Sequence, residues 1–155
     1  MNLVRETVCR LETNLDDLSP EISGSVLEDL LHAGALDVWF TPAQMKKNRP
    51  GLVLSALCKE DSAERLAEII FRQTSAFGLR IERIERMILS RRFETVQTPF
   101  GEVTVKIGYC GGEILQASPE YESCRTVSRA SGQPLRTVYL AAQTAYAARA
   151  GGSPD

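Results

Sequence analysis

Histidine and paired cysteines are scarce in this sequence. Its 155 residues contain one histidine, His32, and four widely spaced cysteines with no C-x-x-C pair. This composition excludes a histidine-rich metal site within the chain and argues against a zinc knuckle or a disulfide framework. We therefore expect reduced, buried thiols in a cytoplasmic protein.

Long apolar runs and an excess of positive charge are also missing. No stretch approaches the roughly 20 apolar residues of a membrane span, and residues 1–10 lack the apolar region of a secretory signal. The formal net charge of −2 argues against a general nucleic-acid-binding surface, which needs a basic excess. We expect a chain that binds neither membranes nor nucleic acid.

Hydrophobic periodicity predicts a sheet with two helices in the first part of the chain. Four segments have the alternation or the compact apolar run of strands: 7–13, 36–40, 52–58 and 79–89. Two segments have helical spacing: 22–31, preceded by Ser19-Pro20 as cap and first turn, and 63–70. Residues 79–89 also fit a helical face, and we predict a strand because the sheet needs one to be complete. Residues 41–51, with two prolines, are predicted to be a loop.

The remainder of the chain predicts a smaller unit. Residues 93–97 and 103–109 predict a hairpin, and Ser118-Pro119 and Pro134 each predict the start of a helix. The predicted class is α+β, in three parts: a ferredoxin-like βαββαβ domain over 1–90, a hairpin with two helices over 91–150, and a disordered tail over 151–155.

The predicted topology brings the most polar loops to one end of the sheet. In a βαββαβ sheet, the loop after the first strand, the loop between the second and third, and the loop entering the fourth emerge together. Here these loops are residues 14–17, 45–51 and 73–78. The candidate binding residues at that end are Asp16, Asp17, Lys46, Lys47, Arg49, Thr74, Ser75 and Arg80.

These residue types together suit a metal-bound nucleoside triphosphate. Adjacent carboxylates are hard ligands for Mg²⁺ or Mn²⁺, whereas lysine and arginine suit phosphate oxygens. The hydroxyls can donate to phosphate, and the amides at the start of the first helix add partial positive charge. Alone, an Asp-Asp pair before a helix is more often a cap, and a basic loop is more often a solvated turn. The predicted convergence of the three loops is what favours a site.

The sequence of these loops resembles a known family. Residues 11–21 (LETNLDDLSPE), 33–38 (AGALDV) and 42–51 (PAQMKKNRPG) resemble signatures of the nickel-insertion protein of nickel-pincer cofactor synthesis, and residues 73–80 and 118–124 continue the match in order. The resemblance is to the C-terminal domain of that family.

The resemblance implies a CTP-dependent nickel insertase of the lyase class. Members of the family insert nickel into pyridinium-3,5-bisthiocarboxylic acid mononucleotide, form a metal–carbon bond and consume CTP, and their C-terminal domain binds CTP with a divalent cation. The mature cofactor serves lactate racemase. The matching positions are Asp16, Asp17, Lys46, Lys47 and Arg49. We assign the two aspartates to Mg²⁺ or Mn²⁺ and the other candidates to CTP, and we predict no catalytic residue.

The sequence also leads to expectations about binding partners and to alternative functions. The family's histidine-rich N-terminal domain does not occur in this sequence, so we expect that domain as a partner of a fragment or of a split protein. Self-association is expected because a four-stranded sheet has two open edges. An RNA-binding module is disfavoured because residues 52–58 lack the aromatic RNP run. A regulatory domain that binds a small ligand and oligomerises without catalysis remains the alternative.

Overall fold

The computed structural model describes residues 3–150 of the chain. These residues divide into a first unit, Arg5–Met87, and a second unit that comprises residues 3–4 and 88–150. Within the described range there are seven strands and four α-helices, which confirms the predicted α+β class. The predicted disordered tail, 151–155, lies outside the described residues.

The first unit has the element order βαββαβ. Its elements are β1 (Val4–Leu15), α1 (Pro20–His32), β2 (Asp37–Met45), β3 (Arg49–Cys58), α2 (Ala63–Gln73) and β4 (Arg80–Ile88). The strands form one sheet in the order β2-β3-β1-β4, with β3 antiparallel to both of its neighbours. The core of this unit joins strand and helix side chains that are fully buried: Leu11, Leu54, Val26, Leu30, Leu66 and Ile70.

Local signals in this unit are partly confirmed. The Ser19 hydroxyl accepts a hydrogen bond from the Ile22 amide at 3.4 Å, and Pro20 opens α1. The segment that also fitted a helix is the strand β4.

The prediction of a loop over residues 41–51 is wrong. These residues continue β2 and β3 as a paired hairpin as far as Met45 opposite Arg49, joined by a short 3-10 turn over Lys46–Asn48. The prolines are tolerated because β2 is an edge strand and because Pro50 lies beyond the Leu15–Leu52 pair, where β1 stops pairing with β3. The hairpin therefore carries the basic residues past the end of β1.

The second unit is a three-stranded antiparallel sheet with two helices. Its elements are β5 (Ser90–Thr98), β6 (Gly101–Cys110), β7 (Glu113–Pro119), α3 (Tyr121–Ser131) and α4 (Leu135–Ala150), and the strand order is β5-β6-β7. The predicted hairpin and the helix after Pro134 are confirmed. The core joins buried residues of the sheet and the helices: Val96, Val103, Val105, Ile107, Cys124, Val138 and Ala142.

One strand of this unit was not predicted. Ser118-Pro119 does not open a helix but ends β7, where Ser118 pairs with Lys106 and its hydroxyl lies 2.9 Å from the Tyr139 hydroxyl. The helix starts at Tyr121 instead, with Glu120 at its N-cap position. Serine and proline mark the end of a strand as readily as the start of a helix, so the local signal did not separate the two.

The cysteines are free and buried. Burial raises the pKa of the Cys58 and Cys124 thiols, which keeps these groups protonated near neutral pH. Within residues 3–150, no helix is both long enough and apolar enough to cross a bilayer.

Candidate functional site

A cavity of about 350 Å³ in the first unit is lined by residues from all three predicted loops. We call it the loop cavity. Five of the predicted residues line it: Asp16, Asp17, Lys46, Ser75 and Arg80. The other lining residues are Thr13, Asn14, Met45, Ala76, Phe77 and Gly78. The fold thus brings together the end of β1, the hairpin between β2 and β3, and the segment that enters β4.

Both aspartates already have partners on the other two loops. Arg49 donates a hydrogen bond from Nη1 to Oδ2 of Asp16 at 3.2 Å, and the Ser75 hydroxyl donates to Oδ1 of Asp17. These contacts position the two carboxylates at the loop cavity. A carboxylate has about four lone-pair sites, so each aspartate keeps acceptor capacity for a ligand.

The hairpin tip gives its two lysines different positions. Lys47 and Asn48 have φ angles of 61° and 58°, in the left-handed region that residues other than glycine seldom adopt. Gln44 supports the turn by donating to the Asn48 side-chain oxygen at 2.9 Å. Lys46, the first residue of the turn, lines the loop cavity, whereas Lys47 at the tip does not.

Thr74 uses its hydroxyl to end α2. The hydroxyl donates to the Ile70 carbonyl at 2.7 Å and accepts from the Ala76 amide at 3.1 Å. Thr74 is not among the residues that line the loop cavity. Its position accounts for the turn of the chain, and Ser75 is the hydroxyl of this loop that faces the carboxylates.

Arg80 is held by two residues that sequence reasoning missed. Its Nε and Nη2 donate to Oε1 of Glu12 at 3.0 and 2.8 Å, and Nη2 also donates to Oδ1 of Asn14 at 2.6 Å. The Ser55 hydroxyl donates to the other oxygen of Glu12 at 3.2 Å. The hydrogen bond from Arg80 lowers the pKa of Glu12, and partial burial opposes this shift.

A sequence signal for these two residues exists. Glu12 and Asn14 alternate with the buried residues Leu11, Thr13 and Leu15 along β1. Polar residues at every second position of a strand share the face of the sheet that is not in the core. That pattern could have identified them as partners for a cation on the neighbouring strand β4.

The donor set of the loop cavity fits a metal that arrives with a polyphosphate. Among the described residues, no group of three or more His, Cys, Asp or Glu side chains could enclose a metal ion. Asp16 and Asp17 supply two carboxylates, which do not by themselves complete the coordination shell of a metal ion. Mg²⁺ is commonly bound through one or two carboxylates, with waters and substrate phosphates completing its shell. A divalent cation bound jointly by the aspartates and by phosphate oxygens would satisfy that requirement.

The family model and the curated relatives that match this chain share one description. The model of the family described as nickel insertion protein matches residues 1–139. A putative nickel insertion protein of Pelobacter propionicus is 52% identical over 127 residues, which are 82% of this chain and 32% of that protein. The pyridinium-3,5-bisthiocarboxylic acid mononucleotide nickel insertion protein of Clostridium acetobutylicum is 45% identical over 131 residues, 84% of this chain and 31% of that protein. The chain spans about a third of the length of these relatives.

Two solved structures are similar over nearly the whole chain. One is the apo C-terminal domain of a cyclometallase involved in the synthesis of the NPN cofactor of lactate racemase. It has a TM-score of 0.83 and 39% identity, with 93% of this chain and 99% of that domain covered. The other is a protein of Methanopyrus kandleri with a TM-score of 0.63 and 29% identity, with 97% and 93% covered.

Proposed function

We propose that this chain, which belongs to the nickel insertion protein family, is the C-terminal domain of an enzyme that inserts nickel into pyridinium-3,5-bisthiocarboxylic acid mononucleotide. Its own part in that reaction is to bind CTP with Mg²⁺ or Mn²⁺ and to take part in CTP hydrolysis. Nickel is a substrate of the whole enzyme. Because the chain spans about a third of its curated relatives, an N-terminal domain of the same family is the partner required for nickel insertion.

The observation that carries the proposal is the pairing of opposite charges around one cavity. Asp16 and Asp17 line the loop cavity on one loop, and Lys46 lines it on another. A metal-bound triphosphate carries the complementary charges, since its metal needs carboxylates and its phosphates need cations. In this assignment the aspartates hold the metal, and Lys46 and Arg49 hold phosphate oxygens. The Ser75 hydroxyl has one proton to donate, so it exchanges its hydrogen bond to Asp17 for one to phosphate when Asp17 binds the metal.

The ion pair between Arg49 and Asp16 does not prevent this binding. The Arg49 side chain is 58% exposed, and an exposed ion pair contributes about 0–1 kcal/mol. A hydrogen bond to a charged group contributes about 1.5–3 kcal/mol. Giving up the internal pair for a carboxylate–metal and a guanidinium–phosphate contact therefore costs at most about 1 kcal/mol.

Nucleotide titration tests the proposal directly. Calorimetric titrations of CTP, ATP and GTP, each with and without Mn²⁺, should show metal-dependent binding that is tightest for CTP. Absence of metal-dependent nucleotide binding would contradict the proposal. Turnover is tested by adding the N-terminal domain, nickel and the mononucleotide substrate. CTP binding without any turnover in that mixture would favour the regulatory ligand-binding module instead.

We also propose that the protein is cytoplasmic and self-associates. The outer strands of the first sheet, β2 and β4, each have a neighbour on one side only. Unpaired strand edges are commonly covered by another copy or by another element. Light scattering at micromolar concentration that shows only monomer would contradict self-association.

A further inference from the structure

Phe77 is an aromatic side chain that the fold leaves entirely in solvent. Its relative accessibility is 106%, the highest among the exposed large hydrophobic residues of the described chain. It lines the loop cavity, together with the charged residues Asp16, Asp17 and Lys46. A side chain that is fully exposed adds nothing to the apolar core, so folding does not account for a phenylalanine at this position.

The backbone on both sides of Phe77 is fixed. On one side, the Ala76 amide donates to the Thr74 hydroxyl at 3.1 Å, and the Ala76 side chain packs against the core of the first unit. On the other side, the Thr13 hydroxyl donates to the Gly78 carbonyl at 2.8 Å. The ring is therefore displayed from an ordered segment, which lowers the entropy that would be lost when a ligand packs against it.

We propose that Phe77 is the stacking platform for the base of the nucleotide bound in the loop cavity. This inference rests on the proposed function. The carboxylates and cations of the cavity have partners in the metal and the phosphates, whereas a nucleobase is a flat ring that needs an apolar face. Aromatic side chains bind bases in this way. Since every base has a π-face, Phe77 supplies affinity common to all nucleotides and does not itself select cytosine.

The test compares a triphosphate that carries a nucleoside with one that does not. CTP and inorganic tripolyphosphate, each with Mn²⁺, are titrated into the wild type and into Phe77→Ala and Phe77→Trp variants. Phe77→Ala should weaken CTP by about five- to a hundredfold and leave tripolyphosphate unchanged. Phe77→Trp should keep CTP affinity. Phe93→Ala is the matched control, because Phe93 is also exposed, at 61%, and lies in the second unit.

The possible failures are distinguishable. Unchanged CTP affinity in Phe77→Ala overturns the stacking role. Equal losses of CTP and tripolyphosphate also overturn it, and light scattering that shows dissociation of the same variant would assign Phe77 to a contact between copies. If the wild type binds neither ligand with Mn²⁺, the proposed function itself is refuted.

Discussion

Arg49 and Asp16, 33 residues apart in sequence, are joined by a hydrogen bond from Nη1 to Oδ2 at 3.2 Å. The contact links the hairpin between β2 and β3 to the loop that follows β1. The Arg49 side chain is 58% exposed and that of Asp16 is 26% exposed, and an ion pair with this much access to solvent contributes about 0–1 kcal/mol to stability. It therefore holds a carboxylate and a cation near one another while leaving both available to a ligand.

Neutralising the aspartates should separate binding from folding. Asp16→Asn and Asp17→Asn should each weaken Mn²⁺-dependent CTP binding, because an amide is a poorer metal ligand than a carboxylate. Thermal stability should change little, since Asp17 is exposed and Asp16 is only partly buried. Calorimetric titration and thermal denaturation measure the two effects, with the exposed Glu113→Gln as the control. A double Asn variant that binds metal and CTP as tightly as the wild type would refute the assignment.

Removing the cations should affect CTP more than CMP. Each charge-assisted contact contributes about 1.5–3 kcal/mol, so Lys46→Ala or Arg49→Ala should lower CTP affinity about ten- to a hundredfold. CMP should lose less because it carries fewer phosphates. Lys47→Gly tests the third cation without straining the turn, since glycine accepts the φ of 61° found there. Equal losses for CTP and CMP in Lys46→Ala and Arg49→Ala, or no loss for either nucleotide, would mean that this hairpin is not the triphosphate site.

The convergence of the polar loops was predictable because it depends only on the order and direction of the strands. The course of residues 41–51 was not. Their prolines indicate a loop when read locally, whereas the edge position of β2 and the early end of β1 pairing, which allow proline in these strands, are properties of the assembled sheet.

Individual site residues show the same limit. Thr74 and Ser75 both carry hydroxyls and are adjacent in sequence. The Thr74 hydroxyl ends α2, whereas the Ser75 hydroxyl donates a hydrogen bond to Asp17. The alternation along β1 places Glu12 on the outer face of the sheet, but it does not specify that its partner is Arg80, 68 residues away. A sequence identifies residue types that can bind a ligand, but the hydrogen bonds they make within the fold depend on neighbours that are distant along the chain.

The pairing of Glu12 with Arg80 predicts a pH dependence of stability. The hydrogen bond from Arg80 lowers the pKa of Glu12 below its ordinary value of 4.5. A carboxyl group whose pKa is lower in the folded state stabilises the fold above its unfolded pKa and loses that contribution as the pH falls through its folded pKa. The free energy of unfolding should therefore fall more steeply for the wild type than for Glu12→Gln as the pH falls below about 5.

Urea denaturation of both proteins across that range measures the difference. The difference between the two stability curves should shrink as the pH falls through the folded pKa of Glu12. Curves that stay parallel throughout the acidic range would mean that Glu12 and Arg80 do not interact in solution as they do in the structure.

Gly51 lies where β3 passes the end of β1 beside the loop cavity. A Cβ atom at this position would lie 2.5 Å from the Met45 sulfur and 2.7 Å from the Leu15 carbonyl oxygen. The methionine side chain is flexible, but the carbonyl belongs to the backbone of β1. Gly51→Ala should therefore lower the free energy of unfolding by about 1–3 kcal/mol. Because Met45 lines the loop cavity, the variant should also weaken Mn²⁺-dependent CTP binding.

Gly24 provides the matched control for this substitution. It lies on the exposed side of α1, and a Cβ atom there would meet nothing within 4 Å. Gly24→Ala should raise the free energy of unfolding by about 0.5–1 kcal/mol, because alanine is the better helix former, and should leave CTP binding unchanged. Opposite signs for the two alanine variants in urea denaturation would show that contact with β1 decides the outcome at Gly51. A Gly51→Ala variant as stable as the wild type would show that the hairpin can move away from the Leu15 carbonyl at little cost.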